Sequence, residues 1–212
     1  QALAGSVLAY AENIENLKPL LGAVAHIANK HVSVGIRAEH YPIVGKHLIA
    51  SIKDVLGEAA TPELIDAWTA AYTRLADILI GAEKNIYDKN AVVEGGWTGW
   101  RFFKVAEKSK QTNDITSFKL VPVDHGKMPD VKAGQYISVR VFVKGQELIQ
   151  PRQYTVVKAD AASFTIAVKK VEAAEKSPAG MVSNTLHNDI QEGDLVEVSF
   201  PVGEFNLPEG DG

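Results

Sequence analysis

The sequence predicts a chain of two unlike parts: about ninety helical residues, then a small antiparallel β-barrel. Three observations carry that reading. Apolar residues recur at three- and four-residue steps through the first part, the spacing that stacks them on one helical face. The period breaks at Glu94-Gly95-Gly96-Trp97-Thr98-Gly99. Beyond it come short segments rich in β-branched and aromatic residues, separated by turn signals. With 212 residues the chain is long enough for one large or two ordinary domains, and the composition shift favours two, with a boundary near Gly95.

Taken in order, Leu17, Leu20, Leu21, Val24, Ile27 and Ala28 form the stripe of an amphipathic helix, and His31 is the next position on it. A short extended break over 32–37 follows. A second helix starts near Pro42, where proline suits the first turn; it carries Ile43, Val44, Leu48, Ile52 and Val55 and ends at Gly57. Thr61-Pro62-Glu63 combines a hydroxyl cap, a first-turn proline and a first-turn carboxylate. It opens a long helix with Leu64, Trp68, Leu75, Leu79 and Ile86 toward a core. Strands are expected over 115–121, 135–143, 153–157, 164–170 and 195–200, and a helix over 180–188. Five or six short strands in about a hundred residues suggest a small antiparallel barrel. The chain opens inside an apolar-periodic helix with no N-cap before it and stops in a loop, so it reads as an interior piece of a longer protein.

Composition narrows the chemistry. Apolar residues are 46% and charged residues 23%, a globular balance. Lys plus Arg number 22 against 26 Asp plus Glu, a net of −4 with no long run of either sign, which argues against nucleic acid or anionic lipid as the main partner. The absence of cysteine excludes disulfides, thiolate metal sites and a cysteine nucleophile. No apolar run approaches the roughly 20 residues of a membrane span, and no basic segment precedes the opening helix as in a signal peptide. A soluble, cytoplasmic setting fits.

Four places bear chemistry. His31 is an odd member of a buried stripe, because its N–H and lone pair both need partners; it is either a hydrogen-bonded core histidine or a metal ligand. Glu83, beside the apolar stripe of its helix, is either a solvated edge residue or a buried carboxylate awaiting a partner. Pro151-Arg152-Gln153-Tyr154-Thr155 places a guanidinium and an aromatic ring on one strand face and a hydroxyl on the other, a set suited to phosphate and a flat heterocycle or to an ordinary surface pair. Gly180 leads into a helix start, either a plain turn or an anion site.

The segments NKHVSVGI, AEHYPIVGKHL, AWTAAYTRLADILIGAEKNIY, GGWTGWRFF, AGQYISV, PRQYTVV, GMVSNTLH and PVGEF, in that order along the chain, resemble the flavohaemoglobins, in which a globin is fused to a ferredoxin-reductase-like flavin and nicotinamide module. The resemblance implies a multi-domain α and β chain: 1–94 as the C-terminal part of an all-α globin domain, 95–207 as an antiparallel β-barrel FAD-binding domain of ferredoxin-reductase type, and 208–212 as the start of a linker to a nicotinamide domain. It assigns His31 as the proximal ligand of haem b, and Tyr41 and Glu83 as its catalytic hydrogen-bonded partners. Leu3 falls on the distal pocket and Lys30 on a position that influences haem potential. Tyr136, Arg152, Gln153, Tyr154 and Thr155 fall on flavin contacts, and Gly180, Met181, Val182 and Ser183 on the pyrophosphate turn. Thr155 stands where the family more often has serine, and the Val171–Pro178 insert is expected to be a surface loop. The implied activity is that of a nitric oxide dioxygenase: NAD(P)H reduces FAD, FAD reduces haem, and oxygen-bound ferrous haem converts nitric oxide to nitrate, in a protein that is often monomeric. This stretch by itself is expected to be inactive. Two alternatives stay open: a ferredoxin-reductase-type flavin module fused to a helical sensor, and an oxygen-binding globin without dioxygenase turnover.

Overall fold

A computed structural model describes residues 5, 9–14, 16 and 18–203. The chain divides into two compact units, residues 1–32 with 36–86 and residues 33–35 with 87–212.

The first unit is helical. After a 3-10 turn at Lys18–Leu20, α1 runs over Leu21–Ser33. Its stripe turns inward as the spacing predicts for Ala28, which is fully buried, but Leu21 is exposed. The expected break begins two residues late, because the helix continues through Ser33. A second 3-10 turn, Ala38–His40, leads into α2 over Tyr41–Leu56. Pro42 sits in its first turn, and Gly57, at φ 53°, stops it while donating its N–H to the Lys53 carbonyl. Helix α3 covers Pro62–Val92. Its start is capped as expected: Thr61 Oγ1 accepts the Leu64 N–H at 3.3 Å. The helix runs almost two turns past Ile86. The core of this unit joins Tyr41, Ala76 and Leu79 with Val24, Ile27, Ile36, Tyr72, Leu75 and Ile80. Among the described residues no helix is long and apolar enough to cross a membrane.

The second unit is a closed barrel in the order β1-β2-β5-β4-β3-β6. Its strands are β1 (Trp100–Lys110), β2 (Ile115–Pro122), β3 (Tyr136–Val141), β4 (Gln150–Asp160), β5 (Ser163–Lys169) and β6 (Leu195–Ser199), and every pairing is antiparallel. The sequence picks out five of these; the structure adds β1. Only the first half of β1 is strand-like in composition, and Glu107, Lys108 and Lys110 disguise the rest. Phe103, Phe118, Phe164, Ile137, Val139 and Val198 fill the interior with no exposed surface, and the rings of Phe103 and Phe164 stack 5.8 Å apart. A short helix, α4 (Met181–Asn188), contacts β3, β4 and β5 and lays Val182 and Leu186 into the same core. The glycine-rich segment before β1 is tied to the barrel: Trp97 Nε1 donates to the Val198 carbonyl, and Arg101, forked onto Asp124, lies over the Trp97 ring. Residues 171–179 form an exposed loop.

Candidate functional site

The sequence separates His31, Tyr41 and Glu83 by up to 52 positions, and the helices bring them together. His31 closes the buried stripe of α1, Tyr41 is the first residue of α2, and Glu83 lies in the second half of α3. His31 Nδ1 is 2.7 Å from Glu83 Oε1 and 3.1 Å from the Tyr41 hydroxyl. The Tyr41 hydroxyl in turn donates to the same Glu83 oxygen. Glu83 is 2% exposed, so its charge is out of water and is compensated by these two donors. The network assigns the proton of neutral His31 to Nδ1, because a carboxylate can only accept; Nε2 keeps its lone pair. Glu83 is thus a buried carboxylate with partners, and among the described residues His31 is hydrogen-bonded through Nδ1.

The uncommitted face of His31 borders a cavity of about 670 Å³, within the range of roughly 300–1,000 Å³ typical of small-molecule sites. Ala23, Val24, Ile27, Ile36, Leu75 and Leu79 are among its lining. An apolar cleft with one free imidazole nitrogen fits a large, flat, metal-bearing macrocycle. Among the described residues no group of three or more His, Cys, Asp or Glu side chains could hold a bare ion. Lys30, beside His31, is exposed on α1. Leu3 lies outside the described residues.

Tyr72 completes this region and was not singled out from the sequence. Its hydroxyl donates to the Tyr41 carbonyl at 2.7 Å, bracing the residue that reaches Glu83, and burial pushes its phenol up from the ordinary value. A Cβ on Gly45 would stand 2.5 Å from the Tyr72 ring, so glycine there makes room for that brace. The signal was legible: Tyr72, Leu75, Ala76, Leu79 and Glu83 share one face of α3 at steps of three and four.

On the barrel, the register of β3 and β4 sorts the predicted flavin residues into two sets. Arg152 and Tyr154 stand opposite Val139 and Ile137, while Tyr136 pairs with Thr155 and Gln153 with Ser138; opposed residues share a face, so the two sets lie on opposite faces of the strand pair. Tyr154 is half-buried against the barrel core. Burial pushes its phenol up to about 12, against a smaller lowering by the Arg152 charge. Arg152 is exposed, and it donates to the carbonyl of its neighbour Pro151 at 2.6 Å. Gln153 Nε2 donates to the Ser33 hydroxyl at 2.7 Å within the same compact unit.

At the start of α4, Gly180 is the extended residue before the first turn. The Ser183 hydroxyl donates to the Gly180 carbonyl at 3.1 Å and accepts the Val171 N–H at 3.2 Å, and Asn184 Nδ2 reaches both the Val171 and Gly180 carbonyls. A Cβ on Gly180 would fall 2.6 Å from Ser183 Oγ. Ser183 is thus a brace and Val182 a core residue, and the groups this turn can offer a ligand are its first-turn backbone N–H groups. Met181 is exposed beside them.

The comparisons with known proteins agree with this division. The globin family profile matches residues 1–79, and that of the oxidoreductase FAD-binding domain matches residues 102–207. The chain is 58% identical over 214 aligned residues to the flavohemoprotein of Bordetella pertussis, covering 100% of this chain and 52% of that protein. It is 52% identical over 210 residues to the flavohemoprotein of Chromobacterium violaceum, covering 99% and 52%. It therefore spans about half the length of the curated relatives it matches. Among solved structures it is similar to the flavohemoglobin of Malassezia yamatoensis with bound FAD and heme, at a TM-score of 0.81 and 31% identity, over 97% of this chain and 51% of that one. A globin-type helical part carrying a hydrogen-bonded His–Tyr–Glu set, followed by an FAD-binding barrel, makes this chain a member of the flavohaemoprotein family.

Proposed function

We propose that this chain carries the proximal haem site and the flavin barrel of a nitric oxide dioxygenase, which uses NAD(P)H electrons passed through FAD to haem b to turn nitric oxide and oxygen into nitrate. When bound, haem supplies the iron chemistry and FAD the step from hydride to single electrons. The protein's own contribution is placement and electrostatics. The observation that carries the reading is the buried Glu83 carboxylate on His31 Nδ1. An oxygen-storage site needs only a neutral partner there; a carboxylate makes the imidazole a stronger electron donor, which favours breaking the O–O bond. Tyr41 shares the carboxylate and fixes its position, Tyr72 holds Tyr41, and Lys30 adds a nearby positive charge.

On the barrel, Arg152 supplies a guanidinium fork for the flavin's phosphates. On the face it shares with Arg152, Tyr154 offers its ring to the isoalloxazine system, and Tyr136, Thr155 and Gln153 offer an aromatic ring and polar groups from the other face of the strand pair. The backbone N–H groups of Met181, Val182 and Ser183, freed by the turn at Gly180, receive the pyrophosphate. Nitric oxide and oxygen are the small-molecule substrates, and the protein acts as a cytoplasmic monomer. The test is an absorption spectrum of the full-length, haem-supplied protein, taken before and after NADH under air and again after nitric oxide. A Soret band with flavin shoulders that NADH and then nitric oxide convert, with nitrate formed, supports the reading. A flavin spectrum without a haem band, or a haem band that nitric oxide leaves unturned over, overturns it.

A further inference from the structure

Two imidazoles line the cavity, and their Nδ1 atoms are held in opposite senses. His31 Nδ1 faces a carboxylate, so it bears the proton and Nε2 is a Lewis base. His40 Nδ1 accepts the Arg37 backbone N–H at 2.9 Å, so it must present its lone pair there and the proton sits on Nε2. The His40 N–H returns to the Arg37 carbonyl at 3.0 Å, closing a tight loop just before α2. Of these two lining residues, His31 therefore has a lone pair to offer and His40 an N–H donor.

Few other polar groups compete for an occupant. The Tyr41 and Tyr72 hydroxyls are spent on Glu83 and on the Tyr41 carbonyl. The Tyr10 hydroxyl is buried without a partner among the described residues. Among the described residues no Lys or Arg lines this cavity. His40 is half-buried, and an occupant that covered its Nε2–H without accepting from it would leave a donor unpaired, which is unfavourable. A porphyrin is apolar across its face and carries carboxylates at one edge, and those carboxylates need donors.

Resting on the haem reading above, we infer that His40 is a binding residue for the acidic edge of the occupant, with Nε2–H donating to a haem propionate. The same tautomer bars His40 from acting as a second iron ligand, since its Nε2 has no lone pair to give.

The test uses the full-length, haem-loaded protein as wild type, His40→Leu and His40→Gln. Haem loss to an excess of apomyoglobin is timed for protohaem and for its dimethyl ester, which cannot offer a carboxylate. For the wild type, the ester is lost about tenfold faster than protohaem, the scale of one charge-assisted hydrogen bond. His40→Leu loses protohaem about tenfold faster than wild type and the ester at the wild-type rate, and the amide of His40→Gln restores part of the difference. Equal acceleration of both haems in His40→Leu would show that His40 only braces the Arg37 loop, and unchanged rates would remove any role; either overturns the inference while leaving His31 as ligand. A wild type that takes up no haem, or a His31→Ala variant that holds it equally well, overturns the haem reading and this inference together.

Discussion

In the roles proposed above, His31 and Arg152 are prepared for their ligands in opposite ways. Around His31 the polar atoms that orient the ring are already paired in the protein: Glu83 is buried and accepts from both His31 and Tyr41, and Tyr41 is itself held by Tyr72. Around Arg152 the guanidinium is exposed and, among the described residues, bonded only to its neighbour's carbonyl. The first site is ordered before anything binds. The second must order a long side chain when the ligand arrives, at a cost in rotamer freedom of up to roughly 2 kcal/mol. A ligand whose electronic state depends on its axial partner needs a fixed imidazole angle. A phosphate, held mainly by charge and forked hydrogen bonds, tolerates a mobile partner.

The contrast is broken most completely at His31. His31→Ala should abolish the Soret band of the purified protein while its flavin absorption persists, because the rigid site has no second lone pair positioned to replace the imidazole. Next is Glu83. Glu83→Leu removes the acceptor that the His31 Nδ1–H and the Tyr41 hydroxyl share, leaving them their 3.1 Å contact with each other, and should cost about 1–3 kcal/mol, which urea unfolding would register. Glu83→Gln keeps an acceptor and should lose less stability, yet lower the iron–histidine stretching frequency in the resonance Raman spectrum, since the charge is gone. Arg152→Ala sharpens the comparison from the other side: flavin affinity should fall about 10- to 100-fold, the worth of a charged hydrogen-bonded pair of ~1.5–3 kcal/mol, with the haem spectrum and the unfolding midpoint unchanged. Gly180→Ala forces its new methyl against Ser183 Oγ and should cost about 1–3 kcal/mol, an overpacking effect visible in thermal unfolding. The smallest signal is a titration. The Tyr154 phenol, raised from 10.0 to about 12, contributes stability that is complete below pH 10 and is lost as pH rises through about 12. Its tyrosinate absorbance, measured as the difference from Tyr154→Phe, should appear near pH 12 and shift lower when Tyr154 is exposed by denaturant.

Much of the helical part was legible because burial writes a period into the chain. His31 stood out as the one imidazole on an apolar stripe, and the Thr61 cap announced α3. Glu83 was ambiguous for a physical reason: a carboxylate at the margin of a stripe reads the same whether it meets water or a buried donor, and its partner lies 52 residues away on another helix. His40 carried no signal at all, since its importance comes from a backbone N–H three residues back. On the barrel, Val139, Val141 and Arg140 alternated as a strand should, whereas the charged second half of β1 concealed it, because its outward face meets solvent. Ser183 shows the converse limit. A motif locates the turn, but only the structure shows that its hydroxyl is spent on Val171 and Gly180 and that the backbone is what remains to bind.

The closure of the barrel also governs how the chain can be made. Strand β6 lies between β1 and β3 and is the last of the three to leave the ribosome, about a hundred residues after β1 begins. Until it arrives, both neighbours carry an unpaired edge, the kind of surface that recruits other strands. The final pairing joins residues as distant as Trp100 and Ser199, and contacts of such long range form slowly. Interrupted synthesis shortly before Leu195 would therefore release a sheet with two sticky margins rather than a slightly shortened barrel, so the five residues of β6 decide whether the product is a soluble domain or a seed for aggregation.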